Sequence, residues 1–265
     1  MKTWRRHTLT GYSWLMLVFL YLPISILMLY SFNDSRINAT WSGFTWKWYV
    51  SLFDNRQVMQ ALMNSLSIGV ISSVLATVLG TAASLAIKHY SLRWRTIVNG
   101  LIYLPIVIPE IMMGLALLVL FSQAHIELGK WTLIMAHVTF SMPYVMVIIS
   151  GRLADMGKEL EEAAQDLGAT PWGTLRHVTL PLIMPGIIAG FLMSFTLSLD
   201  DFIISFFVAG PNSTTLPLYI YGLVKRGVSP EVNALSTLLI VSTVLLVIIA
   251  ELFRRKDSKN GQIHF

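Results

Sequence analysis

Three carboxylates, Glu110, Asp200 and Asp201, stand where the sequence is otherwise apolar. A charge held at mid-bilayer costs about 2.5–3.5 kcal/mol on insertion scales, so such residues usually face a polar pathway or a partner. Asp200 and Asp201 are adjacent, and neighbours on a helix point about 100° apart. They cannot both face one line of a pathway, so one is expected to meet a substrate while the other caps or pairs. Phe195, Phe202 and Tyr219 accompany them in the sequence. Carboxylates flanked by aromatic rings suit an ammonium group, by charge and by cation–π attraction. Competing readings stay open: the Asp pair as a wetted helix end, Glu110 as a structural carboxyl bonded to a neighbouring helix. His137 reads as a satisfied packing or interfacial residue rather than a ligand, and Met112 and Met113 as apolar filler. Covalent and metal chemistry find little support. The chain has no Cys, and neither a His-Glu-x-x-His zinc motif nor a Gly-x-Ser-x-Gly elbow occurs. Aspartyl proteolysis needs two Asp on facing helices, whereas these two are adjacent on one.

The elements that position these acids follow from composition. Of 265 residues, 55% are hydrophobic and 12% charged, against about 25% charged in an average soluble protein. Mean hydropathy is +0.65. So little charge cannot coat a globule, which excludes a soluble domain, a disordered chain and a nucleic-acid binder. A membrane core of ~30 Å takes about 20 apolar residues in a helix. Six stretches qualify: residues 14–32, 62–87, 97–121, 131–150, 182–208 and 234–253. They are continuous rather than alternating, so they are helices and not barrel strands. The expected fold is an all-α membrane protein with six transmembrane helices in a single domain over residues 1–265. The first stretch has a basic start at Lys2, Arg5 and Arg6 but no small-x-small cleavage site, so it reads as an uncleaved helix. Glu110 lies 13 residues past Ile97, and Asp200 18 residues past Leu182. At ~1.5 Å per residue these are about 20 and 27 Å of helix, which places the acids in the outer half. Pro105 and Pro109 should kink the approach to Glu110.

Cations orient the bundle. With the N-terminus in the cytoplasm, the inside segments hold 13 Lys and Arg and the outside segments 6. Both termini are then cytoplasmic, and the net charge of +5 becomes a topology signal. Trp14, Trp94 and Trp131 at span ends, with Trp41, Trp46 and Trp48 in the first outside loop, fit interfacial anchoring. Loops 33–61, 122–130 and 209–233 are outside, and residues 216–225 form a candidate interfacial helix.

The inside loop, residues 151–181, is the most informative. Residues 152–167 are rich in helix formers, with Leu153, Met156, Leu160, Ala163, Ala164 and Leu167 at spacings of three and four. Gly168 is a natural left-handed stop. Thr170-Pro171 reads as an N-cap and first helical residue, opening a second short helix over residues 171–178. Leu180-Pro181 would then lead into the next span.

The string Glu162-Ala163-Ala164, three residues, Gly168, nine residues, Val178-Thr179-Leu180-Pro181 resembles the EAA signature of ABC importer permeases. Its departure from the usual pattern is Val178 where Ile is commoner. The resemblance implies a type I ABC importer permease bundle whose cytoplasmic coupling-helix loop docks in a cleft of a separate ATP-binding subunit. It assigns Glu162, Ala163, Ala164, Gly168, Ala169, Pro171, Leu180 and Pro181 to that coupling element. ATP and Mg would be bound by the partner ATPase, with no cofactor in this chain. Consistently, Gly151…Gly157-Lys158-Glu159 has the wrong spacing for a P-loop and lacks its metal-binding hydroxyl.

Further strings are similar to spermidine/putrescine permeases, specifically the smaller subunit of the paired permeases, nearly end to end. They include Tyr30-Ser-Phe-Asn33-Asp-Ser-Arg36, Pro109-Glu110, Ala136-His137-Val-Thr-Phe140, Ser194-Phe-Thr-Leu-Ser-Leu-Asp200-Asp201 and Gly227-Val-Ser-Pro-Glu-Val-Asn-Ala234. The resemblance implies a polyamine importer subunit in a bacterial inner membrane. Its partners would be a second permease, an ATPase dimer, a periplasmic polyamine-binding protein and membrane lipid, but no nucleic acid. Glu110, Asp200 and Asp201 with Phe195, Phe202 and Tyr219 would contact substrate. Glu110 stands where many relatives carry Asp, so its charge is kept with a longer reach. The rival class is a secondary transporter or channel for organic cations that uses the intramembrane carboxylates; it leaves the EAA string unexplained.

Overall fold

In an apolar medium a backbone must satisfy its own hydrogen bonds, and long apolar runs therefore close into helices. The computed structural model describes residues 2–35, 40–89, 95–227 and 230–260, and every named element among them is helical. In chain order these are α1 (Lys2–Tyr30), α2 (Lys47–Asp54), α3 (Arg56–His89), α4 (Arg95–Val107), α5 (Glu110–Gln123), α6 (Lys130–Asp155), α7 (Glu159–Asp166) and α8 (Pro171–Thr174). A π-helical turn (Leu175–Thr179) leads into α9 (Leu180–Asp200), followed by α10 (Ile203–Val208), α11 (Leu216–Arg226) and α12 (Pro230–Asn260).

Four described helices are long and apolar enough to cross a membrane, and a fifth if the bent pair α4–α5 is one span. This differs from the six expected. The stretch 97–121 is not one rod: it breaks at Ile108-Pro109 and turns by 113°. The stretch 182–208 is also divided, because α9 stops at Asp200 and α10 begins at Ile203. In α12 the described apolar part, Pro230–Leu245, is shorter than a span.

The chain forms two compact units. The first comprises Met1–Met59 and Tyr219–Leu246. In it, α1 is apolar from Leu9 to Tyr30, and that hydrophobic window is 0% buried. The expected outside loop 33–61 is partly helical, since α2 and the start of α3 fall inside it. Its turn is built on buried Asn33, whose side chain accepts from the Ser42 amide (2.9 Å) and donates to the Thr40 carbonyl (2.8 Å). The rings of Phe32, Phe44, Trp46 and Tyr49 pack around it at centroid separations of 4.8–5.6 Å. The expected interfacial helix over 216–225 corresponds to α11. Arg36, Arg93, Trp94, Val228 and Ser229, which figured in the sequence reading, lie outside the described residues.

The second unit comprises Gln60–Leu218 and Val247–Phe265. Helix α6 is its centre, packed along α9 and against α4 and α10. One apolar cluster joins Ile68 of α3, Met113 and Phe121 of α5, Phe140 of α6, and Ile204 and Val208 of α10. A second joins Ala76 of α3, Val145 and Ile149 of α6, and Ile183 of α9. At Val145 the helices approach closely. A Cβ on Gly80 would lie 3.0 Å, and one on Gly190 3.1 Å, from Val145 Cγ1. Small residues are what let helix backbones meet in a membrane. Gly190→Leu is therefore expected to cost about 1–3 kcal/mol of stability by overpacking. It should lower the thermal unfolding midpoint in detergent, and Gly190→Ala should do so less. An unchanged midpoint for the Leu variant would mean that α6 and α9 part without penalty.

Candidate functional site

Helix α9 runs 21 residues to Asp200. There the backbone turns extended at Asp201 (φ −62°, ψ 122°). The turn is held from within. Asp201 is 7% exposed. Its Oδ1 accepts from the Ile204 amide (3.2 Å) and its Oδ2 from the Ser205 amide (2.8 Å). The carboxylate thus satisfies donors that the first turn of a helix leaves open. On its other side is His137 of α6, which is fully buried. His137 Nε2 lies 3.3 Å from Asp201 Oδ2 and 3.2 Å from Ser205 Oγ, and Nδ1 lies 2.6 Å from Ser198 Oγ. Ser198 in turn meets Ser72 of α3 at 3.3 Å. A single polar chain therefore links α3, α6, α9 and α10. Asp201 is the member of the pair that caps and pairs, and His137 is a fully bonded packing residue.

Asp200 is exposed. It ends α9, where the helix dipole is unfavourable to a carboxylate, and it is repelled by the charges of both Asp201 and Glu110. Glu110 is also exposed and opens α5 just past Pro109. A carboxylate is favoured at that end by the dipole. The 113° bend corrects the depth reading of Glu110, which assumed one continuous rod from Ile97. The two ends share a neighbourhood because α10, held by Asp201, packs against α5. The outcome is an exposed group of negative charge at the ends of two helices, next to a buried polar brace.

The aromatic candidates are placed differently. Phe195 is on α9, stacked with Phe191 at 6.1 Å and close against Gly69 of α3. Phe202 follows Asp201 and pairs with Phe206 at 5.8 Å. Tyr219 stands on α11, in the first unit.

In residues 151–181 the structure revises the expected helices. The helix expected over 152–167 is two: α6 ends at Asp155 and α7 begins at Glu159, with Gly157 in the break. Gly168 has φ +89°, a conformation that glycine adopts freely. The Gly168 amide bonds the Gln165 carbonyl (2.8 Å), and the Ala169 amide reaches back to Ala164 (3.0 Å), closing the helix C-terminus. Thr170 caps α8 by accepting from the Gly173 amide at 3.1 Å, with Pro171 as first helical residue. Leu180-Pro181 opens α9 without a break. Helix runs unbroken from Pro171 to Asp200, and the π-helical turn just before Pro181 is the kind of local widening that tolerates a proline. Glu162 and Ala163 are exposed, Ala164 half-buried.

One carboxylate of α7 turns inward: Glu161 is 8% exposed. Its Oε1 receives Lys88 Nζ of α3 at 3.1 Å and Thr179 Oγ1 at 3.0 Å. Nothing in the local sequence separates Glu161 from Glu159 or Glu162; its partners are 73 and 18 residues away.

Comparison with known proteins adds to this geometry. The chain is 43% identical over 251 residues to the Spermidine/putrescine transport system permease protein PotC of Escherichia coli (strain K12), covering 95% of each. It is 42% identical over 241 residues to the Putrescine transport system permease protein PotI of the same strain, covering 88% of this chain and 85% of that one. Its fold is that of a chain in the crystal structure of a bacterial ABC transporter involved in the import of the acidic polysaccharide alginate. There the TM-score is 0.72 at 19% identity, covering 97% of this chain and 99% of that one. Residues 72–256 match the family of binding-protein-dependent transport system inner membrane components, and the chain belongs to that family.

Proposed function

We propose that this chain is a permease subunit of an ATP-driven importer for polyamines such as spermidine and putrescine. The observation that carries the reading is the 43% identity, across 95% of both chains, with a spermidine/putrescine permease. The exposed carboxylates Glu110 and Asp200 supply a chemistry suited to ammonium groups, with Phe195 and Phe202 as the aromatic complement. Asp201 serves them by holding the α9–α10 junction. The bundle is of the type I importer class with six spans: α1, α3, the broken pair α4–α5, α6, the helical run ending in α9, and α12. Both termini are cytoplasmic, in accord with the 13-to-6 distribution of cations.

Residues 151–181 couple the bundle to a separate ATPase dimer, which binds ATP and Mg. Glu162, Ala163, Ala164, Gly168, Ala169, Pro171, Leu180 and Pro181 belong to this element. An unusual exposure supports the reading. Leu167 is 91% and Leu160 51% exposed, although neither lies in a span expected to meet lipid, and Trp172, at the start of the run that leads into α9, is 68% exposed. Such apolar groups call for cover by another subunit. A second permease completes the pathway, and a periplasmic polyamine-binding protein docks on loops 33–61, 122–130 and 209–233. Alternation between inward-open and outward-open states is biased by the ATPase acting on the loop.

The test is purification in mild detergent with an uptake assay. The chain should bring down an ATPase and a second permease, and labelled spermidine uptake should require ATP. Glu162→Arg should cut both ATPase recovery and uptake at least about tenfold, within the usual range of coupling between sites. Uptake that survives ATP depletion while ion gradients are kept would replace this reading with a secondary transporter.

A further inference from the structure

We propose that Glu161 is a positioning residue that ties the 151–181 loop to the spans, acting as a strut between α7, the end of α3 and the start of α9. The inference rests on the reading of that loop as the coupling element.

The orientation of α7 is the first reason. Two adjacent side chains on it are placed against ordinary amphipathic packing. Leu160 faces out while the Glu161 carboxylate faces in, at 8% exposed. A carboxylate is rarely buried without a partner. Here one oxygen collects bonds from two other elements: Lys88 Nζ at 3.1 Å and Thr179 Oγ1 at 3.0 Å. His89 Nε2 stands 4.0 Å from the same oxygen. The Lys88 side chain is 16% and the Glu161 side chain 10% exposed, so solvent screens the pair little.

The second reason is where the three groups sit. Lys88 is in the last turn of α3 and Glu161 in the first turn of α7. Both charges are at the helix ends whose dipoles favour them. Thr179 is 1% exposed and closes the π-helical turn that feeds directly into α9. Such turns recur at functional sites. Displacement of α7 is therefore delivered to the ends of two membrane helices through one oxygen atom.

The third reason is what surrounds the strut. A cavity of about 620 Å³ opens beside it, lined by Leu85 and Ala86 of α3 and by Trp172 and Leu175 across from them. Where apolar packing between α3 and the loop is thus incomplete, the polar tie holds the two together. Exposed Glu162 and Ala163 on α7 face outward for the ATPase; Glu161 faces the membrane helices.

The experiment uses the assembled transporter in proteoliposomes, with its binding protein and labelled spermidine, and reads subunit co-purification, ATP hydrolysis and uptake together. Glu161→Gln keeps the shape and the acceptor for Thr179 but removes the charge. It should leave co-purification and ATP hydrolysis within about twofold of the parent and lower uptake per ATP roughly tenfold, within the 5–150-fold range of site-to-site coupling. Lys88→Glu should do the same or more, and the double exchange Lys88→Glu/Glu161→Lys should recover at least half of the parent ratio. An unchanged ratio in Glu161→Gln would overturn the proposal. So would parallel loss of assembly, hydrolysis and uptake in the single variants without recovery in the exchange, since that pattern belongs to a fold contact only. Failure of the coupling reading itself looks different, because then the parent chain brings down no ATPase.

Discussion

Asp201→Ala is expected to be among the most destabilising single substitutions in the chain. It removes a carboxylate that is 7% exposed and leaves two backbone amides, of Ile204 and Ser205, without their acceptor. His137, 0% exposed, loses one of its three partners at the same time and keeps Ser198 and Ser205. Each buried donor left without its acceptor costs about 1–3 kcal/mol, and this substitution leaves two such amides. The unfolding midpoint in detergent should fall by many degrees and the yield of folded protein with it. Asp201→Asn should lie between this variant and the parent, since its carbonyl oxygen still accepts from one of the two amides. His137→Ala removes a ring that only bonds its neighbours, and its effect should not add to that of Asp201→Ala, as members of one network do not add. An Asp201→Ala protein that melts with the parent would show that the α9–α10 junction is held by something other than this brace.

That junction also shows what the sequence could and could not say. The apolar runs announced helices because a helix in lipid has no alternative, and α1, α3, α6 and α9 fall within them or extend them. The turn at Gly168 and the cap at Thr170 were legible because both are local chemistry: a left-handed residue and a side-chain acceptor. Adjacency alone said that Asp200 and Asp201 must differ in role. Which one turns inward depended on His137, 64 residues earlier in the chain, and no local pattern carries that. The break in the run 97–121 was visible as Pro105 and Pro109, yet the 113° turn is set by the packing of α5 on α10. Continuity from Pro171 to Asp200 was not legible, because the π-helical turn that carries the helix up to Pro181 has no local sequence signal. On α7 the apolar periodicity was real, but it pointed the wrong way for a lone chain. Leu160 and Leu167 face out and Glu161 faces in, and the coupling role proposed for the loop gives that stripe a partner in another subunit.

The second large effect is expected at the exposed acids, and it should separate from the first. Glu110→Gln/Asp200→Asn removes two negative charges that already repel each other. Neither side chain is buried, so no unsatisfied group is created and the repulsion is relieved. The double variant should therefore melt at or slightly above the parent temperature. Transport should behave oppositely. A hydrogen bond to a charged group is worth about 1.5–3 kcal/mol, and 1.4 kcal/mol is tenfold. On the proposed function each acid holds one ammonium group, and removing both should thus lower uptake efficiency for spermidine by roughly 100-fold or more. The single variants should each lose about tenfold, and Glu110→Asp, which keeps the charge on a shorter stem, should lose least. Charge attraction weakens with salt, so the parent's apparent KM should rise with ionic strength and the double variant's should rise much less. The measurement is initial uptake rate against spermidine concentration at two salt levels, run beside a thermal melt of each protein. If the double variant transports spermidine as the parent does, the acids at the helix ends are bystanders and the cation is recognised elsewhere along the pathway. If it loses transport only in proportion to lost folded protein, the two carboxylates belong to the brace around His137 and not to the substrate.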